Sequence, residues 1–87
     1  MAVNELPEEK EILTVFPNPA SEEITIVNNF NSPVGIEIMD LAGRIKKDVI
    51  LMNSSATILV TDLESGIYIL KAITGDKVMH RRITVSQ

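Results

Sequence analysis

His80 is the one residue of this chain whose side chain ordinarily titrates near neutrality, so general-base chemistry would have to begin there. A hydrolase triad holds such a base against a nucleophile and an orienting acid. His80 instead stands mid-strand beside Arg81 and Arg82, whose charges disfavour the imidazolium through which a base must pass. It reads as a surface strand histidine. Paired carboxylates offer another route to acid–base work, but Glu8 and Glu9 lie in an N-terminal lead-in, and Glu22 and Glu23 point to opposite faces of a strand. Asp62 and Glu64 share a turn and have oxygens enough to hold calcium weakly, yet the regular ligand spacing of an EF-hand loop is missing. Gly35, Gly43, Gly66 and Gly75 are scattered singly, so no phosphate-cradling loop is present. The absence of cysteine excludes disulfides, thiolate catalysis and cysteine-bound zinc. Tryptophan is absent and Tyr68 sits mid-strand, which leaves no flat aromatic platform for a sugar. These residues predict a non-enzymatic domain that needs neither cofactor nor metal.

The rest of the composition describes what such a domain is built from. At 87 residues the chain has room for one domain. A chain of that size buries only roughly 60% of its unfolded surface, which leaves little apolar area for a deep pocket. Its apolar content is almost wholly Ile, Val, Leu and Met, with Phe16, Phe30 and Tyr68 as the aromatics; branched aliphatics suit half-buried strands. A net charge of −4 argues against a nucleic-acid partner. The charge is uneven: Glu5, Glu8, Glu9 and Glu11 crowd the start, while every charged residue after Asp76 is basic. No apolar run approaches the ~18 residues of a membrane span. Residues 1–11 have no apolar core of a signal peptide, so an exported form would carry its signal further upstream.

Residues 1–11 read as a flexible acidic linker and 12–87 as the domain proper. From Ile12 short apolar runs alternate with turn chemistry about every ten residues, as in a sandwich or barrel. Residues 12–16 stop at Pro17-Asn18-Pro19, where two ladder donors are lost. Residues 21–27 set Ile24 and Ile26 on one face, 28–33 form a polar turn, and Val34, Ile36 and Ile38 again share a face. Asp40-Leu41-Ala42-Gly43 is a turn in which Asp bonds the backbone and Gly takes positive φ. Residues 45–52 read as an exposed edge marked by Lys46, Lys47 and Asp48. Residues 56–61 follow, and Asp62-Leu63-Glu64-Ser65-Gly66 looks like the earlier turn solution used again. Residues 67–73, the most apolar strand, are expected at the centre of a sheet. Thr74-Gly75-Asp76-Lys77 predicts a two-residue type II′ hairpin into a last strand, 78–85. That hairpin pairs Tyr68 with Ile83, Leu70 with Arg81 and Ala72 with Met79 on the core side, and sets Arg82 opposite Ile69 on the outer face beside Lys71 and His80. The expectation is seven antiparallel strands in two packed sheets, with no helix longer than one turn.

Three motifs carry more than structure when taken together: Phe16-Pro17-Asn18-Pro19, Asp40-Leu41-Ala42-Gly43-Arg44, and Leu63-Glu64-Ser65-Gly66-Ile67-Tyr68. In this order and spacing the chain resembles the type A C-terminal sorting domain of the type IX secretion system of Bacteroidetes, from about Ile12 to Val85. The resemblance implies a seven-stranded immunoglobulin-like β-sandwich at the end of an exported cargo. It implies recognition in the periplasm by the outer-membrane secretion machinery, then removal by a cell-surface sortase-like peptidase, with the cargo released or anchored at the surface. The family's basic position before its last aliphatic run matches Arg82, ahead of Ile83-Thr84-Val85. Arg keeps the charge of the usual Lys but not its hydrogen-bond geometry. Read as structure alone, Pro17 and Pro19 end a strand, Asn18 and Asp40 belong to turns, Gly43 and Gly66 supply turns, and Leu63 and Tyr68 belong to the same framework. Lys71, His80, Arg81 and Arg82 form the candidate recognition surface. A second reading, from another class, is an immunoglobulin- or fibronectin-like spacer or adhesion module.

Overall fold

A computed structural model describes residues 12–30 and 32–87; the linker reading of 1–11 lies outside the described residues. Seven strands follow in chain order: β1 (Leu13–Phe16), β2 (Glu23–Asn28), β3 (Val34–Asp40), β4 (Ile45–Leu51), β5 (Ser55–Leu59), β6 (Gly66–Thr74) and β7 (Lys77–Val85). They form a three-stranded sheet, β1-β2-β5, and a four-stranded sheet, β4-β3-β6-β7, with every ladder antiparallel. No helix among the described residues is long and apolar enough to cross a membrane.

Alternation dictates the packing. Ile24 and Ile26 of β2, Ile36 and Ile38 of β3, Leu70 of β6 and Ile83 of β7 are all fully buried between the sheets. Each such aliphatic side chain contributes about 1.5–3 kcal/mol by leaving water. The expected register of the last hairpin holds: Tyr68 pairs with Ile83, Leu70 with Arg81, Ala72 with Met79, and Ile69 with Arg82. Gly75 has φ +59° and no described non-glycine residue, Asp76 included, has positive φ, which is the type II′ pattern; type I′ would require it at Asp76 as well. β6 is central, and β4 is an edge on which Ile45, Val49 and Ile50 stay exposed.

Three expectations need correction. β2 begins at Glu23, not Ser21, because Ala20 leaves the first sheet and makes a parallel bridge to Val85 of the second. Asn28 is not a turn residue: it ends β2 buried, with Nδ2 donating to the Asn53 carbonyl and Oδ1 accepting from the Phe30 N–H. The two Asp-Leu…Gly segments are not one turn used twice. Asp40-Leu41-Ala42-Gly43 is a tight hairpin with Leu41 exposed and Gly43 at φ +88°. Residues 60–65 instead cross from one sheet to the other, so Leu63 is buried and Gly66 is simply the first residue of β6. A Cβ on Gly66 would make only ordinary contact, 3.9 Å from the Tyr68 ring.

Candidate recognition surface

The three motifs meet because consecutive strands alternate in direction. Strands β1, β3, β5 and β7 all run toward one pole, so connections 17–22, 41–44 and 60–65 gather there with the C-terminal residues. We call this the exit pole. The opposite, entry pole holds Ile12 and the connections before β3, β5 and β7.

At the exit pole the proline motif covers the free edge of β7. Pro17 and Pro19 have no N–H to give, so the segment cannot pair through its own backbone there. The Asn18 side chain substitutes for a peptide unit. Its Oδ1 accepts from the Thr84 N–H at 2.8 Å, and its Nδ2 donates to the Arg82 carbonyl at 3.3 Å. Ala20 continues the edge, donating to the Thr84 carbonyl and accepting from the Ser86 N–H, each at 2.8 Å. The bonds before both prolines are cis.

The other two motifs flank a groove of about 610 Å³ between residues 40–46 and 62–68. Asp40 organises one wall. Its Oδ1 accepts from the N–H groups of Ala42 and Arg44, and its Oδ2 from Arg44 Nε at 2.8 Å. The backbone N–H of Arg44 first, and then its guanidinium, hold the Asp40 carboxyl below the usual range. On the other wall the Lys47 ammonium hydrogen-bonds Asp62 and lowers its pKa, tying β4 to the crossover at 2.8 Å. Tyr68 is buried, and its hydroxyl donates to the Glu64 carbonyl at 2.6 Å. This is the tyrosine corner typical of immunoglobulin-like sandwiches, a ring in the core with its hydroxyl bonding the backbone just upstream. Gln87 closes the pole: Nε2 donates to the carbonyls of Val60 and Leu63, and its N–H to Ser65 Oγ.

The basic residues separate into two roles. Lys71, His80 and Arg82 lie on the outer face of β6–β7 in the expected register, with His80 and Arg82 exposed and Lys71 half-buried. Arg81 is aimed coreward at the sheet edge. Its Nε donates to the Leu13 carbonyl at 3.2 Å and Nη1 to the His80 carbonyl at 2.8 Å, so it clips β7 to β1 across the two sheets. Sequence reasoning singled out neither Ala20 nor Gln87, and it named Lys47 and Asp62 separately without pairing them. Gln87 carries no local signal, and Lys47 and Asp62 meet only through the tertiary fold.

Comparison with known proteins agrees with this arrangement. A family model described as "Secretion system C-terminal sorting domain" matches residues 14–86. No curated protein matches the chain. Among solved structures, the fold is similar to PorZ, described as an essential bacterial surface component of the type-IX secretion system of Porphyromonas gingivalis, with a TM-score of 0.74 and 20% identity. That likeness covers 86% of this chain but 11% of PorZ, so it concerns one part of a much longer protein. Its motifs, its immunoglobulin-like sandwich and the family match over nearly the whole domain agree: the chain belongs to the family of secretion system C-terminal sorting domains.

Proposed function

We propose that this domain is a non-catalytic export signal, carried at the C-terminus of a cargo and read in the periplasm by the outer-membrane type IX machinery. The cargo then reaches the cell surface or the medium, and a sortase-like peptidase cuts upstream of the domain. Family membership supports the sorting role. The observation that carries the finer reading is the exit pole. The proline motif and residues 60–65 bond the last residues of the chain directly, Asp40–Arg44 closes the adjoining hairpin at the same pole, and Arg82 is exposed beside them. A receptor meeting that surface reads the folded domain, since the motif residues are distant in sequence and adjacent only once the sheets form.

The test is a fusion of residues 12–87 to a periplasmic fluorescent protein in a Bacteroidetes host. Fluorescence outside the cell is the expected result, and retention in the periplasm would remove the sorting role. Arg82→Glu in the same fusion should impair export while leaving the domain folded, because an exposed substitution shifts stability by about ±0.5 kcal/mol. Unchanged export of that folded variant would take Arg82 off the recognition surface. Deleting residues 83–87 is a poorer test, since it also removes the buried Ile83 and Val85.

A further inference from the structure

No described residue covers the outer face of the four-stranded sheet, and the register arranges it in rows. One row crosses β4, β3, β6 and β7 as Asp48, Glu37, Lys71 and His80: two carboxylates on one half, two bases on the other. None of these four side chains forms an ion pair among the described residues. The neighbouring row toward the entry pole is Ile50, Gly35, Ile73 and Val78, with Ile50 70% and Val78 49% exposed. On the other side Met39 pairs with Ile69 and Ile69 with Arg82, a row that is apolar on β3 and β6 and basic on β7. The belt of charge is therefore bounded by a wholly apolar row toward the entry pole. Where Gly35 contributes no side chain there is a dent of about 500 Å³, walled by Ile50 and Ile73.

The geometry points to a second copy of this chain as the occupant: the face docks on itself, as a two-fold dimer whose axis runs parallel to the strands. That operation reverses strand order and preserves the rows. Glu37 then meets Lys71 of the partner subunit, Asp48 meets His80 of the partner subunit, and each contact occurs twice. The apolar row of Ile50, Gly35, Ile73 and Val78 superposes on its own copy as well, bringing Ile73 over the dent at the partner's Gly35. An axis lying across the strands would instead set Glu37 on the partner's Glu37, so the charge belt selects the orientation. Sheets packed face to face in this aligned manner are ordinary in sandwiches. Four strands about 4.8 Å apart and three rows give a footprint of about 400 Å² per copy, roughly half of what a stable pair buries. The dimer is therefore weak and is read at high concentration.

The experiment is sedimentation equilibrium of the whole chain up to about 1 mM, a range suited to contacts of this size, with Glu37→Lys and Lys71→Glu made separately. The wild type should self-associate reversibly. Each single reversal creates two like-charge contacts and should weaken the dimer at least about tenfold. An equimolar mixture of the two variants should associate again. One variant then presents lysine at both positions and the other glutamate at both, so each of the two contacts pairs opposite charges. That recovery also shows both variants folded. Amide shifts of the wild type on dilution should fall on residues 35–39, 48–50, 69–73 and 78–82, a readout that needs no variant. A wild type that stays monomeric, reversals that associate like the wild type, or a mixture that fails to recover would each overturn the proposal. So would outer-face shifts that depend on residues 1–11 and not on concentration, the mark of the chain's own acidic segment lying on the face.

Discussion

Tyr68 joins the core to the exit pole, and two substitutions there separate its ring from its hydroxyl. The side chain is 6% exposed, and its hydroxyl donates to the Glu64 carbonyl at 2.6 Å. Tyr68→Phe keeps the ring and removes only that bond. Glu64 is exposed, so water can replace the lost donor at its carbonyl, and the cost should be about 1 kcal/mol. Tyr68→Ala also empties the space between β6 and the opposing sheet, which costs about 3–5 kcal/mol for a buried aromatic. A domain of this size has total stability of roughly 4–13 kcal/mol, so the alanine variant sits near the edge of folding. In thermal melts followed by far-ultraviolet circular dichroism, Tyr68→Phe should lower Tm by about 4–8 °C and Tyr68→Ala by more than about 12 °C. Because Tyr68 is the sole tyrosine and tryptophan is absent, the tyrosine near-ultraviolet band is lost in both variants, and the backbone band must be used. If Tyr68→Ala melted within error of the wild type, the register placing Tyr68 opposite Ile83 would be wrong. If the two variants cost the same, the ring would have no packing role and the reasoning about the core would fail.

Asn18→Ala leaves the Thr84 N–H and Arg82 carbonyl to water and should cost about 0.5–1.5 kcal/mol in urea unfolding. Asn18→Asp should recover part of that at most, since a carboxylate accepts from Thr84 but cannot donate to Arg82; full recovery would show that only the first bond matters. Removing Gln87 should raise hydrogen exchange at residues 60–65 without changing exchange in β3, because its bonds reach only that crossover. Asp40 and Asp62 both have lowered pKa in the folded state, so each contributes stability that is complete above the unfolded carboxylate value and lost as pH falls through the folded one. Melting temperature should therefore drop on acidification below about pH 4, less steeply in Asp62→Asn, and an equal slope in that variant would exclude the Lys47 pair as a cause.

The strands were legible because burial on one face writes a period of two into the chain, as in Ile24-Thr25-Ile26 and Val34-Gly35-Ile36. The last hairpin was legible to the residue, since Gly75-Asp76 admits one turn type and the turn sets the register of everything beyond it. That register also placed Lys71, His80 and Arg82 outward and Arg81 inward. The connections were less legible. Asp40-Leu41 and Asp62-Leu63 look alike, yet one joins neighbours within a sheet and the other crosses between sheets, a difference set by strand order and not by local residue type. The same limit hid the edge of β7: Asn18 reads as a turn residue beside two prolines, and its amide finds Thr84 only after a separation of 66 residues has been folded away.

The alternation that gathers the motifs also depends on the strand count being odd. With seven strands, the chain enters at one pole and leaves at the other, separated along β6 and β7 by nine residues, or about 30 Å. Under the proposed function, a peptidase cutting ahead of Ile12 and a receptor bound at Arg82 and Gln87 would therefore work at opposite ends of the domain. Removing the chain ahead of Ile12 would leave the exit pole folded, since the bonds of Asn18, Tyr68 and Gln87 all lie there.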